Sequence, residues 1–159
     1  MRISDYCQII TALVASLSFL IDAYLRHKDN KYKYAKDVAV WPNNSELYIS
    51  NQTDTVLYNV FVFVDLNTAN YSLIDHLNNI DTSLATTFYF EIFPAKKIKH
   101  VKYDSNASSG GHHLIPAILF TDTNGNYWYR DPSGKLHNLC YSYTDELVKR
   151  GYVLGHVEI

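Results

Sequence analysis

The side chains in this 159-residue chain best suited to bind a metal or carry a nucleophile are seven histidines and two cysteines. His112 and His113 follow a Ser-Ser-Gly-Gly loop, with Asp122 downstream and His100 and His137 elsewhere. Adjacent side chains of an extended segment point to opposite faces, so these two histidines do not readily chelate one ion, and a solvated loop is the expected outcome. A small metal-dependent hydrolase built on that loop is the enzymatic alternative. His137 and Cys140 have the residue types of a base and a nucleophile, but neither a flanking signature nor a third orienting group accompanies them. The chain has no Gly-rich phosphate loop, zinc-binding helix motif or nucleophile elbow. We therefore expect no catalytic residue, no metal and no cofactor. Cys7 and Cys140, far apart in sequence, read as free thiols.

Trp128, Arg130 and Asp131 form the sharpest polar constellation. On a hairpin strand Trp128 and Arg130 share a face, which allows the guanidinium to stack on the indole, and Asp131 can accept from turn amides. These three residues are expected to fix a structural corner. Many of the fourteen tyrosines, among them Tyr32, Tyr34, Tyr71, Tyr103, Tyr141, Tyr143 and Tyr152, stand in polar context. Amphipathic rings in such places suit a protein-binding surface or a headgroup boundary.

Those residues need a scaffold, and the chain supplies two kinds of segment. Tyr6 to Leu25 (YCQIITALVASLSFLIDAYL) carries a single charge, and as a helix it reaches roughly 30 Å, the thickness of a bilayer's hydrocarbon core. Arg26, Lys28, Lys31, Lys33 and Lys36 follow, against one Asp29. This stretch resists export and, by the positive-inside rule, places the carboxyl side in the cytoplasm. It would lie against anionic headgroups, each cation contributing on the order of 1 kcal/mol. Ser4, Gln8, Thr11, Ala15, Ser18 and Asp22 recur every three or four residues as one small, polar stripe, the pattern of a helix that self-associates or docks on another membrane helix. The other use of Asp22 is a pair with Arg26 one turn on.

From Trp41 the period changes to two. Glu46–Asn51, Val56–Asp65, Thr86–Phe93, Ile98–Tyr103 and Ala117–Asp122 are short runs of Val, Ile, Phe and Tyr bounded by turn residues. Val56–Asp65 is apolar on both faces, as a central strand would be. Asn124-Gly125 marks a hairpin and Asp131-Pro-Ser-Gly134 a second turn. Between residues 67 and 84, Leu73, Ile74, Leu77 and Ile80 have helical spacing. Ser142–Arg150 has a cap, early acids, late bases and Gly151 as a stop, which predicts one short helix, and the terminal YVLGHVEI reads as a further strand. Lysines crowd Lys96–Lys102, as on a protected edge strand. No internal repeat is evident. The expected fold is mainly β: an antiparallel, immunoglobulin-like sandwich preceded by one hydrophobic, transmembrane helix and closed by a short helix. The expected division is an anchor over residues 1–25, a basic connector over 26–37 and the sandwich over 38–159.

Two pieces of this chain, SELYISNQTDTVLYNVFVFV and FTDTNGNYWYRDPSGKL, are like the forms ϕ-x-N-x-(S/T)-x-x-x-V-Y-x-V-x-V and F-T-D-x-x-G-x-x-W-x-R-D-x-x-G-x-L, the first with Leu57 in place of its Val before Tyr58. In them the chain resembles uncharacterised bacterial single-pass membrane proteins, in which an N-terminal hydrophobic helix and a charged juxtamembrane stretch precede a small β-sandwich. The resemblance implies architecture and carries over no catalytic or ligand residue. With a formal charge of −2, no nucleic-acid partner is expected. The partners expected are the lipid bilayer and another protein or a second copy, met through the helix. The expected function is a membrane-anchored, non-catalytic interaction module at the cytoplasmic face of the cell membrane. An exported, surface-anchored adhesin or receptor domain is the remaining alternative.

Overall fold

In a computed structural model of the chain, residues 3–66, 73, 74, 77, 87–103, 114–152 and 154 are described. They form two compact units that divide between Lys33 and Tyr34. The first unit is one helix, α1 (Ile3–Lys33), of 31 residues. It continues through Arg26, Lys28 and Lys31, so the basic stretch is helical up to Lys33. Nothing in the stretch stops it earlier, since Gly and Pro are absent and Lys, Arg and Tyr extend a helix at little cost.

The second unit is mainly β, with two antiparallel sheets. Its strands are β1 (Val38–Asn43), β2 (Glu46–Asn51), β3 (Leu57–Leu66), β4 (Thr87–Phe93), β5 (Lys97–Lys102), β6 (Leu114–Thr121), β7 (Tyr127–Arg130) and β8 (Leu136–Leu139). A short helix, α2 (Tyr143–Lys149), follows. One sheet has the order β1-β2-β5 and the other β4-β3-β6-β7-β8. The chain changes sheet between β2 and β3, β4 and β5, and β5 and β6. β3 is central because both of its faces are apolar: Val60, Phe61, Val62, Phe63 and Val64 are all buried. Its register with β6 shifts between Tyr58 and Phe61, where Asn59 takes φ 51°. Asn tolerates this left-handed conformation better than most residues, and the bulge frees its backbone for other bonds.

A first core, of Phe61, Phe63, Leu73, Leu77, Ala117, Leu119, Tyr129, Tyr143 and Leu147, covers one face of the larger sheet. α2 reaches it with Tyr143 and Leu147. The Tyr143 hydroxyl donates to the carbonyl of Asn59 at the bulge (2.7 Å) and lies 3.0 Å from Thr121 Oγ1. Burial pushes this phenol far above its usual range. α2 starts where Ser142 Oγ accepts from the Asp145 amide and ends at Gly151 in a left-handed conformation (φ 82°). On the other side of the larger sheet, Val38, Leu47, Ile49, Phe93, Phe120 and Trp128 are fully buried. Lys99 of β5 holds its ammonium 5.0 Å from the Phe90 ring centre, which joins the two sheets through a cation–π contact.

Several expectations need correction or fall outside these residues. β1 is absent from the expected strands, and it contains Pro42. Proline is tolerated there because β1 is an edge strand, paired only with β2. Leu73, Ile74 and Leu77 are helical, while Ile80 lies outside the described residues. So does most of the terminal YVLGHVEI segment, where Tyr152 instead closes the end of α2 through its amide to Leu147.

Candidate functional site

Two surfaces stand out, the whole circumference of α1 and the group of polar side chains around β7. On α1 the apolar residues are not covered: Ile10, Leu13, Leu17, Phe19 and Leu20 are each 60% exposed or more. The helix is long and apolar enough to cross a membrane, with none of its apolar window buried. Gln8, Thr11, Ala15, Ser18 and Asp22 fall on one face and all are exposed. Ser16 and Ser18 donate their hydroxyls to the carbonyls of Ala12 and Val14 (2.8 and 2.9 Å), which satisfies them within the helix. Arg26, Lys28, Lys33 and Lys36 are exposed and Lys31 half-buried.

Around β7, the residues singled out by sequence take separate tasks. Trp128 is fully buried and donates its indole N–H to Asp122 Oδ2 at 2.9 Å. Asp122, 1% exposed, also accepts the amides of Asn124 and Asn126 (2.9 Å each) and the Asn126 side-chain amide. Asp131 repeats this pattern nine positions later. Its carboxylate accepts from Ser133 Oγ (2.6 Å), the Lys135 amide (2.9 Å) and the His137 ring nitrogen Nε2 (2.8 Å). In both turns the fourth residue is glycine with positive φ, Gly125 at 76° and Gly134 at 86°, a conformation that side-chain-bearing residues reach at a cost. In both, that glycine donates to the aspartate carbonyl, and the aspartate amide donates to the fifth residue. DTNGNYW (122–128) and DPSGKLH (131–137) are therefore one motif, D-x-(N/S)-G-x-x-ring, used twice. The signal was present in the sequence as a nine-residue offset, too short for a search for 20- to 50-residue repeats.

Burial pushes the Asp131 carboxyl up, but its bonds from Ser133, His137 and Lys135 outweigh this and hold it below the usual carboxylate range. Arg130 extends away from the turn: Nε donates to the Val38 carbonyl, Nη2 to the Lys36 carbonyl and Nη1 to the Gly134 carbonyl, each at 2.7 Å. The guanidinium thus ties the segment entering β1 to the β7–β8 turn. Burial lowers its pKa, against the opposing pull of Asp131 and Asp37.

On the outer face of the smaller sheet, register brings Trp41, Tyr48 and His100 into one cross-strand row. Trp41 and Tyr48 stack at 5.7 Å between ring centres, Tyr48 and His100 at 5.4 Å. Glu46 accepts from the Tyr48 hydroxyl (3.3 Å), and a shallow hollow lined by Ser45, Glu46, Lys102 and Tyr103 adjoins the row. Sequence reasoning missed this row because it depends on which residues lie opposite one another across three strands. Asn51, which opens a possible glycosylation triplet, is fully buried, with its Nδ2 donating to the carbonyls of Thr55 and Pro94.

His112 and His113 lie outside the described residues. His137 is engaged with Asp131 and Cys140 is exposed. Among the described residues, no three His, Cys, Asp or Glu side chains converge as a metal site would require. No protein family, curated protein or solved structure matches the chain.

Proposed function

We propose that the chain is a membrane-anchored, non-catalytic interaction module: α1 crosses the bilayer once and holds an immunoglobulin-like β-domain at the cytoplasmic face, where it engages another protein. The observation that carries this reading is the unburied apolar circumference of α1. Each large apolar side chain left in water forgoes about 1.5–3 kcal/mol of burial, so a helix with ten or so of them calls for lipid around it. The five cations after Leu25 support the orientation. The strand order, β1, β2 and β5 in one sheet and β4, β3, β6, β7 and β8 in the other, supports the immunoglobulin-like assignment through its repeated crossings between sheets. The exposed Trp41–Tyr48–His100 row supports protein contact, as aromatic residues are enriched at interfaces.

Alkaline carbonate extraction of membranes, combined with thiol labelling, tests the proposal. Cys140 is exposed, so in a Cys7→Ser background a membrane-impermeant maleimide should label the chain only after the cells are permeabilised. Release by carbonate would sink the anchor, and labelling of intact cells would reverse the orientation in favour of a surface-exposed receptor domain.

A further inference from the structure

We infer that Asn124 is a site of spontaneous deamidation, and that the Asp122 carboxylate sets its rate by holding the turn closed. Of all the asparagines in the chain, only Asn124 is followed by glycine. Glycine is the neighbour that least obstructs ring closure, since no Cβ shields its backbone nitrogen. Asn124 and Gly125 are both exposed, and nothing lies within 4 Å of the place a Cβ on Gly125 would take. Two other asparagines of this domain are tied down: Asn126 donates its side-chain amide to Asp122 Oδ2 (2.9 Å), and Asn51 donates to two carbonyls. The Asn124 carboxamide has no hydrogen-bond partner among the described residues. The twin turn carries Ser133 at the matching position, with its hydroxyl on Asp131 (2.6 Å), and has no carboxamide to lose.

In the reaction the Gly125 nitrogen gives its proton to a solvent base and attacks Cγ of Asn124. The Cγ–Nδ2 bond breaks, ammonia leaves and a cyclic succinimide remains. Water then opens either ring carbonyl, which yields aspartate or, with the main chain rerouted through Cγ, isoaspartate. Water is consumed and ammonia released, with no change of oxidation state. The closed turn opposes the attack. The Gly125 amide donates to the Asp122 carbonyl (3.0 Å), and Asp122 Oδ1 accepts the amides of Asn124 and Asn126 (2.9 Å each). The proton that must leave is therefore engaged, and the backbone cannot bring nitrogen to Cγ until these bonds open. Deamidation then proceeds through local opening, whose frequency depends on what Asp122 holds. Its product undoes the same bonds. Isoaspartate adds a methylene to the main chain between the two amides that Asp122 Oδ1 accepts, and either product places a new carboxylate two residues from the buried one. The turn that holds the Trp128 indole thus carries its own ageing site.

The test is incubation of the full chain in neutral detergent at mildly alkaline pH, folded or in urea, followed by trypsin and tandem mass spectrometry. The tryptic peptide from Tyr103 to Arg130 holds Asn106, Asn124 and Asn126 together. Asn124 should convert first of all the asparagines, to a mixture of aspartate and isoaspartate. It should react at least about tenfold more slowly in the folded chain than in urea, the equivalent of about 1.4 kcal/mol of opening free energy. Asp122→Asn should speed the folded chain by about tenfold, the equivalent of about 1.4 kcal/mol of easier opening, whereas Asp131→Ala, which perturbs only the twin turn, should change the rate by less than about twofold. Gly125→Ala, read in urea where folding plays no part, should slow conversion at Asn124 severalfold. Another asparagine converting first, or an unchanged urea rate in Gly125→Ala, would overturn the site. A folded chain that reacts as fast as the unfolded one, or equal acceleration by Asp122→Asn and Asp131→Ala, would overturn the control by Asp122.

Discussion

Replacing Asp122 with alanine should destabilise the β-domain by about 3–5 kcal/mol, a large share of the 5–15 kcal/mol typical of a folded domain. The carboxylate is 1% exposed and accepts two backbone amides, one side-chain amide and the Trp128 indole. Trp128 is fully buried, so water cannot readily take the place of the lost acceptor, which costs about 1–3 kcal/mol. The amides of Asn124 and Asn126 also lose charge-assisted bonds worth about 1.5–3 kcal/mol each, but they lie at a turn where water recovers much of this. Asp122→Asn keeps the size and places an amide N–H among donors, so about 2 kcal/mol is expected. Asp131→Ala removes one backbone amide, one hydroxyl and one imidazole bond from a turn whose Ser133, Gly134 and Lys135 are exposed, and about 1 kcal/mol is expected there. The assay is urea unfolding of the full chain in neutral detergent, followed by tryptophan fluorescence. A loss of 4 kcal/mol at a slope of about 2 kcal/mol/M moves the midpoint by about 2 M. Trp128→Phe should be costly alone yet make Asp122→Ala cheaper, with a coupling of at least about 1 kcal/mol. Equal losses at Asp122 and Asp131, or a loss below about 1 kcal/mol at Asp122, would refute the role given to burial.

Two further perturbations test the tie at the start of the β-domain and the acid sensitivity of the second turn. Arg130→Lys should cost about 2 kcal/mol and speed tryptic cleavage after Lys36, because one ammonium on a flexible stem cannot replace three donors spread over Lys36, Val38 and Gly134; unchanged cleavage would argue against the tie. The Asp131 carboxyl is held below its unfolded value, so its contribution is present above about pH 4 and lost as pH falls through the depressed pKa. An Asp131→Asn chain should accordingly be less stable than the native one at pH 7 and show a flatter decline below pH 4, and parallel acid limbs would contradict this.

The elements that could be read from sequence are those whose information is local. α1 is legible because a long apolar run with a basic end has few other uses. β2 is legible as a short β-branched and aromatic run, β3 as a continuous apolar run bounded by turn residues, and α2 because cap, acids, bases and glycine stop stand in order. β1 was illegible for an equally physical reason. Pro42 is an argument against a strand until it is known that the strand lies at an edge, and that is a fact about β2, β5 and the rest of the sheet. Arg130 is similar. Its neighbours in sequence suggested stacking on Trp128, yet its partners at Lys36 and Val38 lie 94 and 92 residues away. The Trp41–Tyr48–His100 row needs two registers at once, and neither is encoded near the rings themselves.

The paired turns around β7 separate what backbone chemistry determines from what a site adds. An aspartate, a glycine three residues later and two amide bonds recur in both, so these make the turn. The ring six residues after the aspartate differs, and its surroundings differ with it. Trp128 carries its bond into the core and leaves Asp122 almost without access to solvent. His137 lies against the face of Tyr129, 5.7 Å between ring centres, and keeps Asp131 within reach of water. The first turn therefore gains stability from a carboxylate buried against Trp128. The second depends on the Asp131 carboxylate, which its hydrogen bonds hold below the usual range, at the end of the sheet where Arg130 holds the segment leading into β1. A medium acid enough to protonate Asp131 should loosen that end of the sheet, which amide hydrogen exchange at Lys135 reads directly.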